Sequence, residues 1–247
     1  MLEYSIGGII ISIVCLVLGF KSWHLKRLIE NTPTSKIRSI AMGLVEIYGT
    51  IHQPFNKFLT SPFANKECAY YKYTIEELRR SKNGTYWAQI KTGEQRTLFY
   101  LKDKTGEVLV DPQSATITML STYEKQISTF TSAPPAIKQF CTRNNINLTN
   151  FFGFGRTLRF KETTLAHNDK AYILGTAADN PHKEEATAQK GVEDVMIQKG
   201  KHGVYYISNQ PEKTILLWLA LKAYGGVYGG ATIFLASAGY LLWALGL

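Results

Sequence analysis

Two long apolar runs without a charged side chain bracket the chain, at residues 4–20 and 223–247. Their lengths, 17 and 25 residues, lie either side of the roughly 20 that span about 30 Å of hydrocarbon. The first run is short for a crossing at 1.5 Å per residue, so its helix is expected to continue past Lys21, whose ammonium can snorkel. A signal peptide fits it poorly. Met1-Leu2-Glu3 has no Lys or Arg, no small-x-small cleavage site precedes Lys21, and Lys21-Ser22-Trp23-His24-Leu25-Lys26-Arg27 reads as an interfacial stop. Before the second run, Asn209-Gln210-Pro211-Glu212 supplies a helix start. One helix from about Gln210 would exceed a single crossing, so its first turns are expected at the interface, with the crossing over residues 223–243.

Between these runs the pattern is mostly that of strands. Residues 39–52 partly alternate, and residues 68–77 pack aromatic and β-branched side chains as strands prefer. Residues 86–91 are a further candidate. The clearest hairpin is 97–103 with 107–111 around Lys104-Thr105-Gly106, followed by Asp111-Pro112 and a strand at 115–120. Two more hairpins are expected: 156–165 with 170–178 around His167-Asn168-Asp169, and 192–199 with 204–208 around residues 200–203. Ser132-Ala133-Pro134-Pro135 opens a helix through Asn144, and residues 179–190 read as an exposed loop or short surface helix. The fold class is therefore a membrane protein with two transmembrane helices flanking a β-rich (α+β) soluble domain. The expected segments are residues 1–24 for the first span, 25–212 for the domain, and 213–247 for the juxtamembrane and second span.

Composition adds exclusions. With 12% aromatic residues the chain is too rich for disorder, and its 3 cysteines are too few for a disulfide scaffold. A mean hydropathy of −0.10 conceals the two spans. The net charge is +9, of which +7 falls between residues 25 and 212. Lys21, Lys26, Arg27, Lys36, Arg38, Lys213 and Lys222 lie near the spans on the domain's side, against Glu3 and the terminal amine on the other. The positive-inside rule therefore places the domain in the cytoplasm, with an outward-facing domain as the alternative. Attraction to anionic lipid accounts for the basic balance. No nucleic-acid partner is expected, because no run interleaves basic and stacking aromatic residues. Gly225-x-x-x-Gly229 and Gly226-x-x-x-Gly230, with Gly8-x-x-x-Ser12, provide small residues for helix packing. They serve either the two spans of one chain or a homo-oligomer.

Catalytic and metal motifs are missing. Cys15, Cys68 and Cys141 form no C-x-x-C pair, and His24, His52, His167, His182 and His202 are isolated, so no metal or cofactor is expected. Cys68 reads as a buried apolar residue. Gly153-Phe154-Gly155-Arg156 lacks the rest of a phosphate loop and reads as a turn. No G-x-S-x-G, H-E-x-x-H or S-x-x-K occurs. Glu76-Glu77 and Glu184-Glu185 are adjacent pairs, and strand neighbours face opposite sides, so neither is expected to be a carboxylate dyad. Asn83-Gly84-Thr85 and Asn147-Leu148-Thr149 fit a glycosylation sequon.

Ser61-Pro62-Phe63 with Cys68-x-Tyr70-Tyr71-x-Tyr73 resembles the GIDE-type domain of membrane-anchored RING E3 ubiquitin ligases of mitochondria and chloroplasts and its prokaryotic relatives. Matching segments follow in family order. They are residues 41–49; Phe99-x-Leu101-x-Asp103-x-x-Gly106-x-Val108-x-Val110-Asp111-Pro112; Glu162-x-x-Leu165; residues 171–177 around Gly175; and Tyr206-Ile207-Ser208. The resemblance implies a membrane-anchored domain in which these positions are mostly structural. In the family's ligases a zinc-binding RING follows the second span. Residues 1–247 hold no such cysteine and histidine cluster, so no ligase residue carries over. The expected function is a non-catalytic scaffold or a module binding lipid or an unidentified protein partner. The alternative is a component of E3 ubiquitin-protein ligation, and a hydrolase with an unseen site stands behind both.

Overall fold

The structure is a computed structural model describing residues 2–54, 58–82, 84–120, 122–128, 131–149, 155–181, 194–200 and 203–245. Asn83 of the first sequon, Gly153-Phe154, His182, Glu184-Glu185, His202 and most of the 179–190 segment lie outside the described residues. The chain forms two compact units, one of residues 1–34 with 210–247 and one of residues 35–209.

The first unit is a pair of helices, α1 (Leu2–Asn31) and the C-terminal helix, α3 (Glu212–Leu245). α1 runs past Lys21 and past residue 24 without a break, with Lys26 bonding Glu30 one turn on at 2.6 Å. Pro211 precedes α3 and its carbonyl accepts the first N–H bonds, from Thr214 and Ile215. The helices run antiparallel, Gly8 against Ser237 and Gly19 against Gly226. Backbone meets backbone here, because a Cβ on Gly226 would lie 2.7 Å from the Gly19 Cα and one on Gly230 2.9 Å from Leu16. Gly225 and Gly229 have nothing within 4 Å of an added Cβ. The four glycines therefore do not share one contact face. At 3.6 residues per turn, neighbouring positions lie about 100° apart, so only Gly226 and Gly230 meet α1.

In the second unit, most of the partly alternating residues 39–52 fall in β1 (Gly43–Pro54), preceded by a 3-10 turn at Ile37–Ser39. The remaining elements in chain order are β2 (Leu59–Thr60), β3 (Glu67–Ser81), β4 (Gly84–Arg96), β5 (Phe99–Lys102), β6 (Glu107–Val110), β7 (Thr116–Thr118) and β8 (Tyr123–Ile127). They continue with α2 (Pro135–Arg143), β9 (Leu158–Ala166), β10 (Lys170–Asp179), β11 (Val195–Gln198) and β12 (Tyr206–Ser208). β1, β5, β6, β11 and β10 pair in a closed ring: β10 returns to β1 from Gly43↔Ala177 to Thr50↔Lys170, and β6 meets β11 in parallel. Closure removes the free edges that an open sheet exposes. The inside is filled by alternate residues of each strand, among them Val45, Ile47, Leu101, Val110, Ile173 and Ile197. β12 and β7 extend from β10 as an overhang.

The second sheet is ordered β4-β3-β9-β8, with β2 against the start of β3. α2 packs on it, its Ile137 and Cys141 joining Phe63, Ile75, Leu158 and Phe160 in a separate core.

Two expected hairpins are not hairpins. β9 and β10 follow one another through His167-Asn168-Asp169 but belong to different sheets. The turn hands the chain over: Ile51 donates to the Asp169 carbonyl and Asn168 donates to that of Ile51, which starts pairing with β1. β11 and β12 likewise both pair with β10 rather than with each other. The longest hairpin, β3–β4, joins two runs that local pattern left separate.

Gly226→Ala should destabilise the helix pair by about 1–3 kcal/mol, as an added methyl in a tight contact does, while Gly225→Ala changes it by less than about 1 kcal/mol. Thermal unfolding in detergent monitored by circular dichroism separates the two.

Candidate functional site

The family-pattern residues fall at three places in the 35–209 unit. At the first, β9 carries Glu162 into a fully buried position, where its Oε2 accepts the Phe63 N–H at 2.6 Å and its carboxylate also receives Ala64. Ser61-Pro62-Phe63 is a loop closed on itself, because Ser61 and Lys66 exchange backbone and side-chain bonds. Glu162 holds that loop so that the Phe63 ring stands edge-on to Tyr73, Phe140 and Phe160, with centroids 5.2–5.6 Å apart. A buried carboxylate is tolerated when charge-assisted bonds replace its water. Cys68 lies beside this node with its Sγ 3.6 Å from the Leu59 carbonyl; burial, helped by the Glu162 charge, pushes its thiol up to about 12. That is the setting of an inert thiol rather than a nucleophile.

At the second place, Asp103 ends β5. Its Oδ1 accepts the N–H groups of Thr105 and Gly106, and its Oδ2 accepts that of Ile37 at 3.0 Å. Burial alone would raise the Asp103 carboxyl; these donors outweigh it and hold the group below the usual carboxylate range. At the third, the carbonyls of Asp111 and Pro112 accept Tyr205 Oη at 2.6 Å and Arg96 at 2.8 Å. The Tyr205 ring also packs on Gly175, where an added Cβ would come within 2.8 Å of it.

The aromatic rings of β3 are largely taken up by the two cores. Tyr70 is buried in the ring's core with Arg96 over its ring, and Tyr73 belongs to the α2 core, with Tyr71 stacked on it. Glu76 and Glu77 do face opposite sides. Glu76 meets Arg159 at 2.6 Å and Lys161 at 3.1 Å, while Glu77 meets Arg156 at 2.6 Å and Arg79 at 2.9 Å. Burial would raise Glu76, but its two cations hold it low; the Arg156 bond does the same for Glu77.

The segment matching the GIDE family model, described as an E3 ubiquitin ligase, runs over residues 70–242 and so includes all of β9 to β12 and most of α3. The chain belongs to the GIDE family. No curated protein and no solved structure matches it. Within this GIDE protein, Glu162, Asp103, Gly106, Asp111, Pro112 and Gly175 lie inside the matched segment, whereas Ser61, Pro62, Phe63 and Cys68 precede it. Among the described residues, no cluster of His, Cys, Asp and Glu suits a metal. Open hollows occur among the described residues. One of about 210 Å³ lies between β7 and β3, lined by Tyr70, Lys72, Ile117, Thr118, Met119 and Thr163. Another of about 510 Å³ lies beside the end of α2 around Lys138, Thr142, Asn145 and Asn147. The polar atoms named at the three nodes are engaged in hydrogen bonds within the domain. Sequence reasoning missed Arg96 and Tyr205, whose partners lie 16 and 94 residues away.

Glu162→Gln should cost about 1–3 kcal/mol, since it replaces a charge-assisted acceptor with an amide that can present only one oxygen. Urea unfolding at neutral pH measures it. Asp103 is held below its unfolded pKa of about 3.9, so its stabilisation is complete above that pH and is lost as pH falls through the lower, folded value. A thermal midpoint that drops on acidification, less steeply in Asp103→Asn, is the expected result.

Proposed function

We propose that this GIDE protein is a two-span membrane protein whose β-rich domain is a non-catalytic scaffold or binding module. The observation that carries the reading is the outward face of the helix pair. Both helices are long and apolar enough to cross a membrane, over Ser5–Asn31 and Glu212–Trp243. They turn large apolar side chains away from each other: Ile11, Leu18, Leu221, Leu235 and Trp243 are exposed, the last two at 70% and 72%. Exposed apolar surface of that extent suits a lipid environment and supports the two-span reading. The flanking Lys and Arg residues favour the domain on the cytoplasmic side.

The domain's buried polar groups support a non-catalytic role. Cys68 and Cys141 are buried thiols raised to about 12 and about 11, and the carboxylates named above are engaged with amides or cations. The second reading, a component of ubiquitin transfer, is favoured by the family description alone. Stimulation of conjugate formation by the purified chain with a ubiquitin-conjugating enzyme would establish it, and its absence would remove intrinsic activity.

The chain should stay in the membrane pellet after alkaline carbonate extraction, and release to the supernatant would end the two-span reading. Lys104→Cys, at an exposed turn, should react with an impermeant maleimide only after lysis if the domain is cytoplasmic. Labelling in intact cells would reverse the orientation. Background from Cys68 and Cys141 should be low because both are buried.

A further inference from the structure

The β3–β4 hairpin outruns its sheet. Pairing with β9 ends at Glu77↔Leu158, and Leu78 makes a last bond to the Thr157 carbonyl. β3 and β4 continue together from Leu78↔Trp87 to Ser81↔Gly84 as a two-stranded ribbon. Every described residue from Arg79 to Tyr86 is exposed, Tyr86 at 50%. Between Glu77 and Glu94 the chain has no Asp or Glu, but it has Arg79, Arg80, Lys82 and Lys91. Arg79 is tied to Glu77 and Lys91 to Asn144, whereas Arg80 and Lys82 have no acidic partner among the described residues. The ribbon's base is fixed: the Trp87 ring carries the Arg159 guanidinium 4.2 Å from its centroid, and Arg159 is bonded to Glu76.

We propose that this ribbon tip is a docking surface for anionic phospholipid headgroups. Guanidinium and ammonium groups beside an exposed phenol form the side-chain set found at membrane interfaces, where cations meet lipid phosphate and the aromatic ring sits at headgroup depth. The core needs none of these side chains, and Arg80 and Lys82, two like charges without an acidic partner among the described residues, repel each other unless an anionic partner compensates them. An anchored chain would meet such headgroups at high effective concentration, and in this respect the inference rests on the two-span reading.

The test uses the full chain, with an environment-sensitive fluorophore on Thr85→Cys, in nanodiscs of phosphatidylcholine with or without phosphatidylglycerol. A blue shift is expected only in the anionic discs, reversed by salt and abolished in the triple variant Arg79→Gln, Arg80→Gln, Lys82→Gln, whose thermal midpoint should stay near that of the parent. No shift with anionic lipid, a shift that the triple variant retains, or a shift produced instead by added poly-glutamate would each overturn it, the last in favour of an acidic protein partner. If the chain fails to enter the discs, the two-span reading fails separately. Co-sedimentation with preformed phosphatidylglycerol vesicles then decides the tip, with binding expected to weaken about fivefold per neutralised residue. Equal binding by parent and triple variant would overturn it there too.

Discussion

β10 has to satisfy three neighbours with two edges, and the architecture of residues 35–209 follows from how it does so. One edge pairs with β1 along residues 170–177; the other is divided between β12 at 172–174 and β11 at 176–179. Close packing over both faces of this strand replaces polar–apolar alternation with the buried run Ala171-Tyr172-Ile173-Leu174. It also leaves no room for a side chain at position 175, where Tyr205 lies across the backbone. Closure depends on the handover at His167-Asn168-Asp169, with Asn168 at a φ of 68° and the Asp169 carboxylate capping the Ala166 N–H. The chain leaves one sheet there and enters the other.

The second sheet depends on a different device. β3 has neighbours on both edges, and the buried Glu162 on the adjoining β9 fixes a loop 99 residues earlier in the chain. In this chain several residues of the family pattern make long-range bonds. Glu162 holds Phe63, Asp103 holds the turn at Ile37, and Asp111-Pro112 receives Arg96 and Tyr205. Bonds of this kind support a fold without naming a reaction, and the family match covers the segment 70–242 rather than any one of these side chains.

Local features were readable from the sequence. Charge-free length gave both helices, and Asp103-Lys104-Thr105-Gly106 between apolar runs gave β5–β6, because the turn and its two strands lie within a dozen residues. The opening Pro residues gave α2. Strand partners were not readable, since alternation reports which face is buried and says nothing about which edge is paired. β9 and β10 look like a hairpin for that reason. The 3-10 turn at Ile37–Ser39 and the polar β8 have no apolar signature, and β4, with Thr, Gln, Lys and Gly along it, was legible only over residues 86–91. The glycine pairs of α3 were visible, but one helical step separates the pair that meets α1 from the pair that does not.

The distribution of charge refines what the net +9 means. Acidic side chains along the body of the β3–β4 hairpin are matched: Glu76 with Arg159 and Lys161, Glu77 with Arg156 and Arg79, Glu94 with Arg96. That matching ends where the sheet ends. Arg79 turns back to Glu77, and beyond it Arg80 faces Thr85, which is not acidic. Had folding alone selected these residues, opposite charges facing each other across the ribbon would have stabilised it by a few tenths of a kcal/mol to about 1 kcal/mol per pair. Their absence at an exposed tip whose base is held by Trp87, Arg159 and Glu76 is the charge pattern on which the proposed headgroup contact rests.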